Sequence, residues 1–366
     1  MDALDRLACL MEVVKVHGLI VGKFYPPHAG HHLLVRAAAR VCRRVTVLVM
    51  ASRAESLPLE TRLAWLREIH AREANVTFAG GRDDTRMDLE DPAIWDAHMA
   101  CFRATLATVT DQPVDAVFTS EGYGEELARR FGARHVCVDP GRELAPISGT
   151  AARADLVAAW PHLEPPVRGG LALRVVILGA ESTGKTTLAG RLAEALRARG
   201  GAHGLTRWVA EYGRDYTVEK LAALRPPARM EDLRWTSEDF VAIAREQAAL
   251  EEAEARAGGP VLICDTDVFA TGVWHERYLG GRCAAVEELA TVHPLYLLTD
   301  PDDVPFEQDG LRDGQHLRRW MTERFAERLA ESGRRSVIVR GDRLAASLRA
   351  IDTLLAEGPR LTPPLT

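Results

Sequence analysis

The segment Arg174–Arg197, RVVILGAESTGKTTLAGRLAEALR, constrains the fold of this chain more than any other stretch. Val175–Leu178 is an apolar run of strand length, and Leu188, Leu192, Ala195 and Leu196 fall on one face of the helix that should follow. The turn between them, Gly179, Ala180, Glu181, Ser182, Thr183, Gly184, Lys185, Thr186 and Thr187, fits G-x-x-x-x-G-K-[ST]. Directly after a strand and opening a helix, that spacing has a physical meaning. Successive backbone N–H groups and a helix N-terminus cradle phosphates, Lys185 neutralises β and γ oxygens, and the Thr186 hydroxyl holds Mg²⁺. ATP is therefore the expected ligand of this half.

At 366 residues the chain exceeds the size at which one hydrophobic core keeps growing, so two domains are expected. The stretch Trp160–Gly170, with three prolines and two glycines, reads as the connector, giving domains at 1–160 and 171–366 with a linker at 161–170. A net charge of −6, with 47% hydrophobic and 27% charged residues, is ordinary for a soluble globular protein and argues against gripping a phosphate backbone. The N-terminal stretch carries Asp2, Asp5 and Glu12 with no basic lead-in to a long apolar run, so neither a signal peptide nor a membrane span is expected. The six cysteines are scattered without a C-x-x-C spacing and suit a reducing, cytoplasmic location.

Residues 1–15 read as a short helix or a frayed lead-in. The strand expected at Val16–Val21 runs straight into GKFYPPHAGHH, Gly22 to His32, and then a helix through Leu33, Leu34, Ala37 and Ala38. Here the phosphate reader is histidine: His28 and His31, with Gly30 allowing close approach, can donate to phosphate oxygens and to charge developing on them. Gly22, Phe24, Pro26, His28, Gly30 and His31 resemble the nucleotidyltransferase signature G-x-F-x-P-x-H-x-G-H, with Lys23 inside it. Its second half, I-S-x-T-x-x-R, stands at Ile147, Ser148, Thr150 and Arg153, where Ser148 and Thr150 can cap a helix and the Arg153 fork can reach ATP. Strands are expected at Val45–Met50, Val76–Ala79 and Ala116–Thr119, with helices at Pro58–Ala74 and Ile94–Thr108. The turn SEGYGEE places Tyr123 where a substrate wall would stand. Trp95 suits either stacking on a flat ring or, with Met99 and Phe102, a core stripe. His32 is expected on the helix surface, and His70, His98, His135 and His162 show no partner pattern.

In the second half, a strand at Thr206–Val209 leads to Glu211, Tyr212, Arg214, Asp215 and Tyr216, a set suited to a polyhydroxylated substrate such as a ribose. A long helix is expected at Ser237–Arg256, capped by Ser237. The apolar strand ending in Asp265 and Asp267 looks like the acidic partner of a phosphate loop, one carboxylate ordering Mg²⁺ and one free for a nucleophilic hydroxyl. Sequence alone leaves the base open between Asp265, Asp267 and Glu211. A further strand is expected at Leu295–Leu298. The loop Asp302–Gly314, with Arg312, resembles the lid of small P-loop kinases.

The order of these motifs resembles the NadR-type bifunctional proteins, in which a nicotinamide-nucleotide adenylyltransferase is joined to a ribosylnicotinamide kinase. The resemblance spans about residues 15–355 and rests on GKFYPPHAGHH, SEGYGEEL, ISGTAAR, GAESTGKTT, EYGRDY, DTD and VPFEQDGLR. It implies two doubly wound parallel α/β domains: an N-terminal Rossmann-like nucleotidyltransferase and a C-terminal P-loop kinase. It further implies that the kinase half makes nicotinamide mononucleotide from the riboside and that the other half adenylylates it to NAD, with ATP and Mg²⁺. Small molecules are the expected partners, with homo-oligomerisation left open. Some members carry an N-terminal helix-turn-helix; only about fifteen residues precede the first strand here, so no DNA partner is expected. A fusion acting on another nucleoside or with one inactive half, and a non-enzymatic nucleotide sensor, are the competing readings.

Overall fold

The computed structural model describes residues 17–88, 90–302, 304–312, 314–357 and 361; the lead-in expected at 1–15 lies outside them. The chain divides into two compact units, with the boundary between Val167 and Arg168.

In the first unit, β1 (His17–Gly22), α1 (Ala29–Val41), β2 (Arg44–Ala51), α2 (Leu59–Ile69) and β3 (Val76–Arg82) alternate. They continue through α3 (Pro92–Ala107), β4 (Ala116–Thr119), α4 (Gly124–Phe131) and β5 (Arg134–Cys137), ending with α5 (Gly149–Ala154) and α6 (Leu156–Ala159). All pairings are parallel, in the order β3-β2-β1-β4-β5. The side-chain alternation of a strand divides the core between two faces. Ile20, Val45, Val47 and Val49 pack with α1 and α2 on one, while Leu19, Val21, Leu48 and Met50 pack with Trp95, Met99 and Leu106 of α3 on the other. Each such fully buried side chain contributes ~1.5–3 kcal/mol of transfer free energy. Because the chain crosses from β3 past β1 to β4, the strand order reverses at β1, and the crevice for a ligand opens at the carboxyl ends there.

The connector read as an irregular linker is largely helical. A single turn at Trp160–His162 is followed by α7 (Pro165–Leu171), and Trp160, Leu163 and Val167 are buried. Proline is well tolerated in a helix's first turn, where the missing N–H has no partner to lose, so Pro165 and Pro166 start this helix instead of breaking one.

The second unit runs β6 (Leu173–Leu178), α8 (Lys185–Arg197), β7 (Arg207–Val209), α9 (Tyr212–Ala222), α10 (Ser237–Ala257), β8 (Val261–Asp265) and α11 (Val268–Leu279). Then follow α12 (Ala284–Glu287), β9 (Leu295–Thr299), α13 (Arg318–Glu331), β10 (Ser336–Val339) and α14 (Arg343–Glu357). This sheet is also parallel, ordered β10-β9-β6-β8-β7, with β6 and its phosphate turn flanked by β8 and β9. Val175 and Ile177 pack on Leu188, Leu192 and Leu196 of α8. Thr236, one residue before the expected Ser237, caps α10, because its hydroxyl and the Asp239 carboxylate satisfy each other's backbone N–H groups. No helix among the described residues is long and apolar enough to cross a membrane.

Candidate active sites

The end of β1 carries the histidine turn. His28 sits at the N-cap of α1 in extended conformation, 3% exposed, and neither ring nitrogen has a hydrogen-bond partner. Its ring centroid lies 3.8 Å from that of His31, which in turn lies 4.6 Å from Phe24. Burial, with Arg142, His162 and Arg153 adding like charge, pushes the His28 imidazole down to about 3, and burial beside His28 holds His31 well below its ordinary range. Gly30 lets the chain pass closely here, since a Cβ would lie 3.2 Å from the His28 ring and 3.4 Å from the Ile147 carbonyl oxygen and would press the imidazole aside. That contact joins the two halves of the signature. Ser148 caps α5 by accepting from the Ala151 N–H at 3.1 Å, and Arg153 donates to the Tyr25 carbonyl at 2.9 Å and to the Thr150 hydroxyl at 3.1 Å.

Behind this turn is a brace that the sequence did not disclose. Arg62, with no side-chain exposure, donates to the Lys23 carbonyl at 2.9 Å, pairs with the equally buried Glu55 at 2.7 Å and lies 4.5 Å from the Tyr25 ring centroid. Glu55 also holds Lys23 at 3.1 Å. Arg142, in the left-handed region, donates to Ile147 O and Glu121 and adds positive charge near both histidines. Neither arginine lies in a recognisable motif.

Beside the histidines, at the carboxyl ends of β1 to β4, a pocket is lined by Gly22, Lys23, Trp95 and Tyr123 together with Asp83 and His98. Trp95 is both a core residue and a pocket wall, so the alternatives left open by its pattern are both occupied. Burial pushes the Tyr123 phenol up to about 12. His98 is not partnerless: its Nδ1 lies 2.5 Å from Asp83 Oδ2. His32, expected on the surface, is fully buried with Nδ1 3.0 Å from His70 Nε2, because the helix turns it toward α2 instead of solvent. His135 packs its Nε2 2.8 Å from the Thr119 hydroxyl.

In the second unit, a larger pocket is lined by Glu181, Ser182, Thr183, Gly184, Lys185, Thr186 and Thr187 together with Glu211, Arg214, Asp265 and Arg312. Gly179 stands behind it with φ 155°; a Cβ there would lie 2.0 Å from the Thr299 hydroxyl. Lys185 is buried and donates to the Ala180 carbonyl at 3.1 Å. The Thr186 hydroxyl donates to Asp265 Oδ2 at 2.6 Å, while Asp265 Oδ1 is buried without a partner. Burial raises the Asp265 carboxyl, opposed by Lys185 and Thr186, and burial likewise raises Glu211.

Two expected site residues turn away. Asp267 caps α11, accepting from the Ala270 N–H at 2.9 Å, and its other oxygen accepts from the Tyr296 hydroxyl at 3.3 Å. Two residues apart on a strand, Asp265 and Asp267 would share a face; Thr266, with φ 74°, breaks the alternation and separates them. Tyr212 also lies outside the pocket lining, packing edge-on to Tyr216, while its backbone N–H donates to Gln247 Oε1 at 3.0 Å.

The lid loop folds over the phosphate turn. Arg312 donates to the Glu307 carbonyl at 2.6 Å and reaches Ser182 Oγ at 3.5 Å, while Asp309 accepts from Arg214 at 2.5 Å. Arg318 donates to the Ser182 carbonyl and Arg343 to that of Thr183. Glu181 is fixed by Arg277 at 3.0 Å and by the Gly314 N–H at 2.8 Å. The same pocket continues into an aromatic compartment walled by Trp235, Phe240, Trp274 and Tyr278, missed in the sequence because these residues come from two helices and a loop with no shared spacing. The Arg277 guanidinium lies over Trp274 at 5.0 Å and over Tyr278 at 4.7 Å, so these ring faces already accept a delocalised cation.

Fold and site together define a two-domain nucleotide-binding α/β protein, with a histidine-type nucleotidyltransferase site ahead of a P-loop phosphotransferase site. A family model described as an AAA domain matches residues 174–345. The chain is 26% identical over 313 residues to the trifunctional NAD biosynthesis/regulator protein NadR of Escherichia coli, covering 81% of this chain and 72% of that protein. It is 25% identical over 312 residues to the protein of the same name from Salmonella typhimurium, covering 81% and 71%. Among solved structures, a NadR protein in complex with NR aligns with a TM-score of 0.65 at 21% identity, covering 94% of this chain and 96% of that one. A NadR protein in complex with NAD and AMP-PNP also aligns at 0.65, with 23% identity and 93% and 96% coverage. These two likenesses concern the fold. The chain is thus similar to NadR proteins over most of its length.

Proposed function

We propose that the chain performs two successive ATP-dependent transfers in NAD salvage: the second unit phosphorylates nicotinamide riboside, and the first adenylylates the mononucleotide to NAD with release of pyrophosphate. The observation that carries this is the continuity of an aromatic compartment with the phosphate turn in one pocket. A nicotinamide riboside is a flat cation on a sugar, and a compartment walled by Trp235, Phe240, Trp274 and Tyr278 offers aromatic surface to that ring while the sugar would point toward Lys185.

In the kinase unit, backbone N–H groups of the turn and Lys185 would bind the polyphosphate, and Arg312 and Arg318 on the lid side would add charge where it develops. Because Thr186 engages Asp265, Glu211 is assigned the proton of the attacking hydroxyl; its raised affinity for protons and its place across from Lys185 suit that role. The donor set fits Mg²⁺: a threonine hydroxyl beside a carboxylate with one buried oxygen still unpartnered, both hard oxygen ligands. Thr186 and Asp265 would hold the ion, which neutralises charge on the nucleotide's phosphates when bound. No group of three or more histidine, cysteine or acidic side chains forms an all-protein metal site among the described residues, in keeping with an ion that keeps waters and phosphates as ligands.

In the first unit, His28 and His31 would donate to the α-phosphate as charge builds on it, Arg153 and Ser148 would hold the remaining phosphates, and the pocket with Trp95 and Tyr123 would take the mononucleotide's ring. Incubation with ATP, Mg²⁺ and nicotinamide riboside, followed by chromatography, should show mononucleotide and then NAD. Consumption of neither substrate would refute the proposal.

A further inference from the structure

The pattern G-x-x-x-x-G-K-[ST] leaves the middle of the phosphate turn open to any residue, and this chain places two polar side chains there, Glu181 and Ser182. Binding of phosphate calls for neither, because backbone N–H groups and Lys185 meet the anion. Ser182 holds φ 56°, in the left-handed region that a residue with a Cβ enters only at a cost. Both side chains bond instead to the loop that lies over the turn.

Ser182 Oγ accepts from the Glu307 N–H at 2.8 Å and lies 3.5 Å from Arg312 Nη1. Glu181 Oε2 accepts from the Gly314 N–H at 2.8 Å, while its Oε1 accepts from Arg277 Nη1 at 3.0 Å. Adjacent residues of the turn thus hold two points of the lid, one on either side of Arg312. The second point is closely fitted, since a Cβ on Gly314 would lie 2.6 Å from Arg277 Nη2 and 2.8 Å from Glu181 Oε2. Arg277 belongs to α11, with its side chain 4% exposed and its guanidinium over Trp274 and Tyr278 of the aromatic compartment. Further lid contacts, Asp309 with Arg214 and the Val304 carbonyl with Arg318, run to α9 and α13.

We infer that Glu181 and Ser182 are positioning residues of the kinase site: they clasp the lid to the phosphate turn and so set the Arg312 charge over the phosphoryl group that moves. Through Arg277, Glu181 also ties the clasp to the wall of the aromatic compartment. The inference rests on the phosphotransferase reading of this unit and adds what holds Arg312 in place. Placement matters at this scale, because a shift of about 1 Å in a catalytic group can cost about 10²-fold in rate.

A double-mutant cycle separates this role from a purely structural one. In the full-length protein, kcat and riboside KM of the kinase half-reaction are measured for Glu181→Ala and Ser182→Ala, each alone and combined with Arg312→Ala. Loss of a hydrogen bond to a charged group should make Glu181→Ala about tenfold slower in kcat with KM little changed. On top of Arg312→Ala the same substitution should cost less than about threefold, because no guanidinium is left to misplace; a residue that only stabilises the fold would cost the same in both backgrounds. Glu181→Gln, which keeps an acceptor for the Gly314 N–H, should recover part of the rate. Gly314→Ala removes no buried charge, crowds the same clasp from the lid side and serves if Glu181→Ala does not fold. Release of a fluorescent ATP analogue, followed by stopped flow, should be about tenfold faster from Glu181→Ala than from the wild type. Unchanged kcat in folded variants, losses that multiply with that of Arg312→Ala, or a rise in KM alone overturns the inference. Faster release from Glu181→Ala in a protein that never phosphorylates the riboside would uphold the clasp and count against the riboside kinase assignment alone.

Discussion

At the end of β1, phosphate would meet imidazoles held neutral by burial; at the end of β6, it would meet a buried lysine already faced by Asp265 and Glu211. Both turns join a parallel strand to a helix, yet they handle the cost of buried charge differently. The histidine site lowers that cost by discharging its rings until an anion arrives. The phosphate turn lowers it by placing opposite charges together, Lys185 against Asp265 and Glu211. One consequence is that the two sites depend on different groups and should fail separately.

The largest effects come from removing the group that meets phosphate in each unit. Lys185→Ala should lower mononucleotide formation from the riboside by about 10³-fold or more and leave NAD synthesis from supplied mononucleotide near wild type. His31→Ala should do the reverse, costing about 10²–10³-fold in adenylyl transfer, as for loss of one transition-state donor. Coupled assays on each half-reaction check both.

A step smaller, Asp265→Asn should cost kinase kcat about 10²-fold, whereas Asp267→Asn should stay within about threefold of wild type, since asparagine caps a helix nearly as well as aspartate. Equal losses would put Asp267 back in the site. Arg312→Ala should lower kcat by about 10²-fold with little change in riboside KM, if the lid charge meets the transition state alone.

The smallest effects are on stability against pH, and their signs differ between the units. His28, near 3 when folded against an ordinary 6.5, leaves the unfolded chain holding more protons between those values. Its contribution is therefore present above pH 6.5 and is lost as pH falls toward 3. In the second unit, burial beside Asp267 pushes Glu251 up to about 8 from an ordinary 4.5, so the folded chain holds the extra proton and stability falls as pH rises from 4.5 through 8. Denaturant midpoints measured across pH should show the acid-side loss relieved in His28→Ala and the alkaline-side loss relieved in Glu251→Gln. Unchanged slopes would mean that these groups are not held neutral by burial.

Long periodic segments and both phosphate turns were legible in the sequence because their function requires backbone geometry that only particular residues permit: Gly30 beside a ring and Gly179 against Thr299. The outer strands β5 and β10 were not: their four residues are only partly buried and form no fully apolar run, whereas β4, equally short but fully buried, was legible. Asp267 misled because period two is a property of extended backbone, and one left-handed residue cancels it. His32 with His70, Arg62 with the Lys23 carbonyl, the Asp83–His98 pair and the aromatic compartment all join separate segments, and no local spacing marks such meetings.

The central claim, that two self-sufficient sites act in sequence through a diffusible mononucleotide, is tested most directly by mixing. Neither Lys185→Ala nor His31→Ala alone should convert riboside to NAD at more than a small fraction of the wild-type rate. An equal mixture of the two folded variants should restore conversion, because one supplies the intermediate that the other consumes. If the mixture remained as inactive as its components, or if either substitution silenced both half-reactions in a folded protein, the two-site account would be contradicted.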